Sequence, residues 1–249
     1  MKMRFVAAAL ATLLSAPLAL ADQHAHWGYT GHASAAHWAE LDDNFQTCKL
    51  GQNQSPINID TKKVEKADLK PIAFGYTAGG AEVINNGHTI QVNLAAAGAA
   101  TIAGSEYKLL QFHFHHPSEE KINGKAFPMV AHLVHKSAEG NLAVVAVLFK
   151  LGKENAALKA IFADLPAKEG ETKALEGGFN PADLLPADQA YYAFMGSLTT
   201  PPCSENVHWQ VLKTPVELSA AQLKAFKKLY PMNARPVQPL NGRTVQIGQ

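Results

Sequence analysis

The chain has 249 residues, 47% hydrophobic and only 17% charged, with 18 Gly, 14 Pro, 2 Cys and 11 His. That composition excludes a disordered, collagenous or coiled-coil chain and a disulfide-dense miniprotein, and a formal net charge of +1 offers no basic field for nucleic acid. Two cysteines are too few for a four-thiolate zinc site, so the eleven histidines are what asks for a chemical explanation.

Lys2 and Arg4 precede an apolar run, Phe5 to Leu14, followed by Ser15, Pro17 and Ala19-Leu20-Ala21. A basic start, a short apolar run and an A-x-A site predict a secretory signal peptide over residues 1–21, cleaved after Ala21. The run is too short for a comfortable membrane span. The mature chain, residues 22–249, would keep 20 basic residues against 21 acidic, a net charge of −1. It is expected in the periplasm or secreted, with no membrane association. Export makes a bridge between Cys48 and Cys203 the expected state of the two thiols. A mature start of Asp22-Gln23-His24 sets a free amine beside an imidazole, a nitrogen set suited to square-planar Cu(II) or Ni(II). The plainer reading is a disordered polar terminus.

Residues 22–56 read as an irregular segment packed on the body, anchored by Trp27, Tyr29 and Trp38. From Ile57 to Phe149 the pattern is mostly strand: Ala81–Asn86, Thr89–Leu94, Tyr107–His116, Val130–His135 and Ala143–Phe149 are short, β-branched or aromatic, and bounded by Gly, Asn or Pro. Asn86-Gly87 predicts a hairpin turn. Ala95–Ala100, interrupted by Gly98, predicts a loop. Glu154–Leu165 carries Leu158, Ile161, Phe162 and Leu165 at helical spacing. Residues 166–190, with three prolines, predict a surface loop. Ser219–Tyr230 predicts a helix, with Ser219 and Gln222 as a capping box. The fold class is mainly β (α+β), a single domain with a few peripheral helices.

The main chemical signal is Gln111-Phe112-His113-Phe114-His115-His116. Side chains alternate along a strand, so His113 and His115 share one face and Phe112 and Phe114 the other. Two imidazoles on one strand can hold one metal if a neighbouring strand supplies a third. Val130-Ala131-His132-Leu133-Val134-His135 can do so, and Asn123-Gly124 suits an antiparallel connection between the two. Three neutral imidazoles around an open position make a catalytic zinc site. Spacing alone leaves open which histidine is the third. His116 and His135 face the other way and have structural or surface roles.

With Gln54-Ser55-Pro56-Ile57-Asn58-Ile59, Asn85-Asn86-Gly87-His88, Pro117-Ser118-Glu119, Gly196-Ser197-Leu198-Thr199-Thr200-Pro201-Pro202 and Arg235-Pro236-Val237-Gln238-Pro239-Leu240 in order, the chain resembles the α-class carbonic anhydrases of bacterial periplasms over nearly its whole mature length. The resemblance implies a large twisted, mostly antiparallel central sheet and one Zn2+ per chain, bound by His113, His115 and His132. The implied reaction is reversible hydration of CO2 to bicarbonate and a proton by zinc-bound hydroxide. It also implies a Glu119–Thr199 pair that orients the nucleophile and His88 as proton shuttle. A substrate pocket of Val134, Val144, Leu198, Thr200, Val207 and Trp209 follows in the same way. Ester hydrolysis is an implied side reaction, and a homodimer is compatible with it.

Behind the zinc ligands the resemblance implies Gln111 for His113 and the main-chain carbonyl of Asn233 for His115. For His132 it implies a carboxylate two positions earlier, where this chain has Val130. Glu120 stands where the family often has His. On this reading His132 loses its orienting anion unless water or another group substitutes, zinc is held more weakly, and Val130→Glu should tighten it. The competing reading is a catalytically weakened or silent carbonic-anhydrase-like zinc-binding module.

Overall fold

The computed structural model describes residues 26–248. The leader and Asp22-Gln23-His24 lie outside the described residues. Most strands join one 13-stranded mixed sheet. Its main path runs Thr172–Ala174, Gly80–Asn85, Ile90–Ala95, Ser105–His115, Met129–Lys136, Leu142–Leu151, Glu205–Leu212, Tyr191–Ser197, Gln246–Ile247 and Glu65–Lys66. Neighbours on this path are antiparallel except Leu142–Leu151 with Glu205–Leu212 and Gln246–Ile247 with Glu65–Lys66. The expected mainly β fold, with a mostly antiparallel sheet and few helices, is what the chain adopts.

Ala143 to Phe149 is buried at every position. A near-continuous apolar run is what a strand covered on both faces requires. Its residues divide by parity. Ala143, Val145, Val147 and Phe149 join a large cluster with Phe112, Phe114 and Leu133. Val144, Ala146 and Leu148 join a smaller one with Val130, Val207 and Trp209. Two helices, Ala156–Ala163 and Ala220–Leu229, cover the large cluster through Leu158, Ile161, Phe162 and Phe226. The first starts later than its apolar pattern because the Asn155 side chain accepts from the Leu158 N–H and fixes the cap. The second has both halves of the Ser219–Gln222 capping box. His113, His115 and His132 lie at the parity opposite to Phe112, Phe114 and Leu133, away from the large cluster.

Three expectations need correction. Residues 95–100 are not a plain loop: Ala95 ends one strand and Gly98–Ile102 forms another, paired with Ser105–Lys108 and with Ala73–Tyr76. Ala96 and Gly98 take positive φ between them, so the glycine read as a breaker makes the turn that starts a strand. The 166–190 segment contains Thr172–Ala174 as an edge strand and a 3-10 turn at Pro181–Leu184. The N-terminal segment is built of short helical turns, Gly31–Ala33, Trp38–Leu41, Asp43–Phe45 and Thr47–Leu50. Trp38 is its anchor: it is fully buried and its indole N–H donates to Gly28 and Ala33 carbonyls.

Cys48 in this segment is bonded to Cys203 across 155 residues, as the sequence led us to expect. Arg235 braces the same region, donating to the Cys48 carbonyl, the Gln54 amide oxygen and the Ser55 carbonyl.

Candidate metal centre

The strands Ser105–His115 and Met129–Lys136 pair antiparallel with His113 opposite His132. The Asn123-Gly124 turn closes a small hairpin on the connection between them, with both residues at positive φ. Strand alternation then puts three imidazoles on one face, with ring centroids 5.1, 5.5 and 4.8 Å apart. One nitrogen from each of His113, His115 and His132 lies within 4.8 Å of the other two.

The second nitrogen of each ring is already used. His113 Nδ1 meets Gln111 Oε1 at 2.9 Å, and His115 Nδ1 meets the Asn233 carbonyl at 2.7 Å. Oxygens of this kind only accept, so both rings donate from Nδ1 and keep an Nε2 lone pair. His115 Nε2 is buried and has no protein partner. His132 is turned the other way. Its Nε2 meets Glu120 Oε1 at 3.0 Å and Oε2 at 3.2 Å, leaving Nδ1 free. An orphaned buried lone pair is costly unless something accepts it. Three converging imidazole nitrogens, one of them such an orphan, fit a cation that prefers imidazole, and zinc takes three such ligands with an open position.

The protonation states of two of the three rings agree with this. Burial, with His132 adding, lowers the His113 pKa to about 3. Burial holds His115 well below its ordinary value, again with help from His132 and His113. Both are neutral at pH 7. Burial would lower His132 too, but the charge and hydrogen bond of Glu120, with the charge of Glu119, outweigh it and raise the pKa.

Glu119 lies beneath the rings, Oε1 at 3.5 Å from His115 Nδ1 and Oε2 at 3.8 Å from His132 Nδ1. Oε1 accepts from the Arg235 backbone N–H at 2.7 Å. Burial pushes its pKa up to about 7. The His132 charge, the Thr199 hydroxyl and the Arg235 N–H oppose the rise, and the Glu120 charge adds to it. The Thr199 hydroxyl is close enough to favour the ionised form, yet Glu119 Oε2 has no hydrogen bond of ordinary geometry. Thr199 is positioned from the sequence motif Gln54-Ser55: Ser55 N–H donates to Ser197 Oγ and Ser197 N–H to Ser55 Oγ, clamping the strand end that Leu198 and Thr199 extend. The disulfide pins the far end of that loop, where Cys203 N–H donates to the Thr200 carbonyl.

Val144, Val207 and Trp209 pack in the smaller cluster, with Val134 and Leu198 against it. Val134 pairs with Val144, and Val144 with Trp209. The Trp209 ring meets the His132 ring edge-on at 4.9 Å. An apolar wall therefore adjoins the imidazoles.

His88 follows a turn tied by the Asn86 side chain, which accepts from the His88 and Thr89 N–H groups. Its ring is half-buried and stacks on Trp27, centroids 3.6 Å apart and planes 8° apart, with the His26 ring at 6.1 Å. It lines a cleft of about 430 Å³ with Phe45, Pro201 and Pro202. Burial, with the His26 charge adding, lowers its pKa below 6.5 against a raising effect from Glu169. Asn233 links it to the imidazoles, donating from Nδ2 to the His88 carbonyl while its own carbonyl accepts from His115. A larger cavity, about 880 Å³ and lined by Phe74, Leu94 and Leu109, contains none of these groups.

The sequence profile of the eukaryotic-type carbonic anhydrases matches residues 33–249. The chain belongs to the α-class carbonic anhydrases. It is 48% identical to the carbonic anhydrase of Klebsiella pneumoniae over 223 residues, 88% of this chain and 90% of that one. Over 224 residues it is 47% identical to the carbonic anhydrase of Neisseria gonorrhoeae, 89% of this chain and 88% of the relative. The α-carbonic anhydrase of Thermovibrio ammonificans, solved with the inhibitor sulfanilamide, superposes with a TM-score of 0.87 at 46% identity, covering 89% of this chain and 99% of that one. Membership of the family makes this chain a carbonic anhydrase that acts on CO2 and bicarbonate.

The expectation for Val130 and His132 turned on whether another group replaces the missing carboxylate. Val130 is fully buried among apolar side chains. Its side chain makes no polar contact, and the carboxylate that meets the His132 ring is that of Glu120. Sequence reasoning noticed Glu120 but assigned it nothing. The usable signal was Glu119-Glu120, two adjacent acids in a segment that folds under the imidazoles. His116 and His135 take structural partners: His116 Nδ1 donates to the Pro128 carbonyl at 2.6 Å, and His135 Nε2 meets the Tyr76 hydroxyl at 2.7 Å.

Proposed function

We propose that the chain hydrates CO2 with one Zn2+ held by His113 Nε2, His115 Nε2 and His132 Nδ1. The observation that carries this is the set of three converging imidazole nitrogens left over by hydrogen bonds on the opposite ring nitrogens, with that of His115 buried and unpartnered. When bound, zinc supplies the chemistry known for carbonic anhydrases as a class, bringing the pKa of a water to about 7. Three neutral imidazoles leave its charge undiminished, which favours that acidity.

The chain's own groups do the rest. Glu119 accepts a hydrogen bond from the Thr199 hydroxyl on its Oε2, so Thr199 Oγ1 is committed as an acceptor toward the attacking oxygen and orients it. The wall of Val134, Val144, Leu198, Val207 and Trp209 holds CO2, which has no net charge or dipole. The Thr199 N–H and the Thr200 region flank the substrate oxygen. His88 carries the released proton to buffer, a task suited to imidazole. A signal-peptide leader and a disulfide support export to the periplasm. No helix among the described residues is long and apolar enough to cross a membrane.

The test compares CO2 hydration by stopped flow with hydrolysis of an activated aryl ester, both per bound zinc. Hydration should exceed ester hydrolysis by orders of magnitude. An enzyme that turned over the ester faster would be a zinc esterase, and one that did neither would be a silent module. The silent reading rested on Val130 and loses its argument once Glu120 stands behind His132.

His88→Ala should lower kcat in dilute buffer by up to about 10²-fold, the lower end for positioned proton transfer, while kcat/KM changes little. Added imidazole should restore turnover. In the native chain kcat should rise with pH through a midpoint below 6.5, because His88 accepts a proton only when neutral and burial lowers its pKa. Unchanged kcat in dilute buffer would remove His88 from the proton path.

A further inference from the structure

Glu120 is fully buried, and among the described residues its carboxylate has one hydrogen-bond partner, His132. No lysine or arginine side chain among the described residues is in ion-pair reach of it. Its backbone is fixed: Ser118 Oγ donates to the Glu120 carbonyl at 2.7 Å and accepts from the Phe127 N–H at 2.8 Å. For a buried acid paired with one imidazole, desolvation can outweigh the attraction, so the pair is weak evidence of a stabilising role. Glu119 adds a second buried acid beside the same rings.

This step rests on the zinc reading above. We infer that Glu120 is the positioning residue for His132 and thereby for the metal, the carboxylate having moved from position 130 to position 120. It fixes the ring's tautomer, presents Nδ1 and makes the ring a stronger donor, the work that a carboxylate behind a metal-bound histidine performs. Val130 fills the vacated place with apolar packing against the cluster of Ile57, Ile59, Ala146 and Leu148. It lies two residues before His132 on the same strand face. A glutamate there, with Glu120 still present, puts a second carboxylate against a ring that has one N–H to give. The sequence-based expectation for Val130→Glu therefore reverses sign.

The experiment measures zinc release into excess chelator and the thermal midpoint of the metal-free protein. Its proteins are the native chain, E120Q, E120D, V130E and V130E/E120Q. E120Q should release zinc about 10- to 100-fold faster, while its metal-free midpoint stays level or rises. E120D, which keeps the charge but draws it away from the ring, should also release zinc faster. V130E/E120Q should recover at least tenfold of the loss. V130E alone should hold zinc no tighter than the native chain and melt lower. Native release rates in both E120Q and E120D, or tighter zinc in V130E alone, would overturn the inference. So would a fall in metal-free stability of E120Q with zinc release unchanged, which marks a merely structural role. A native chain that takes up no zinc would overturn the zinc reading itself, and this inference with it.

Discussion

His113→Ala is expected to strip the site of its metal while leaving the fold standing. Structural zinc sites bind with about 10–16 kcal/mol, so one protein ligand of three is worth about 3–5 kcal/mol, roughly 10²- to 10⁴-fold in affinity. His113 is the most accessible of the three imidazoles, and its other nitrogen bonds only the half-buried Gln111. Its removal therefore orphans no deeply buried group. His115 and His132 are nearly fully buried and tied to Asn233 and Glu120, so their loss would confound metal binding with stability. Zinc content by atomic absorption, hydration rate and a melting curve check this together. Full zinc occupancy after dialysis, with native hydration, would mean that His113 is not a ligand.

The second large effect is on stability. Opening the Cys48–Cys203 bridge releases a loop of 155 residues, and chain entropy sets the cost at up to about 5 kcal/mol. For a domain of this size that corresponds to a fall in Tm of roughly 10–20 °C. The double variant Cys48→Ala/Cys203→Ala, melted beside the native chain with and without reductant, checks it. Reductant should shift only the native chain. The bond also anchors the Thr199–Cys203 loop to the Trp38 cluster, so hydration should weaken before global melting. A Tm unchanged by reductant would show that the arginine and serine clamps hold this region without it.

Much of this molecule was legible in its sequence, for identifiable reasons. Strand alternation put His113 and His115 on one face, and that rule has few competitors in a strand of eleven residues. The buried runs, the Ser219–Gln222 capping box and the Asn123-Gly124 turn are local signals, and local signals survive folding. What failed was long-range or depended on context. Gly98 reads as a breaker locally, but the chain beyond it finds two strand partners. The stack of Trp27 on His88 joins residues 61 positions apart that no local pattern connects. Glu120 was the most instructive failure. The valine at 130, where an acid was expected, implies a loss only if no other group substitutes, and the sequence does not name the substitute. The ring of His132 needs an anion at Nε2, not at a given sequence position, and a neighbouring segment met that need.

The central claim is that hydration of CO2 belongs to one zinc at His113, His115 and His132. The direct test is to remove metal with a chelator and titrate zinc back, following stopped-flow CO2 hydration against equivalents added. We predict a rate at the buffer background without metal, a linear rise, and a break at one zinc per chain. A chain that takes up one zinc with no hydration above background, or hydrates CO2 equally well without metal, would contradict it.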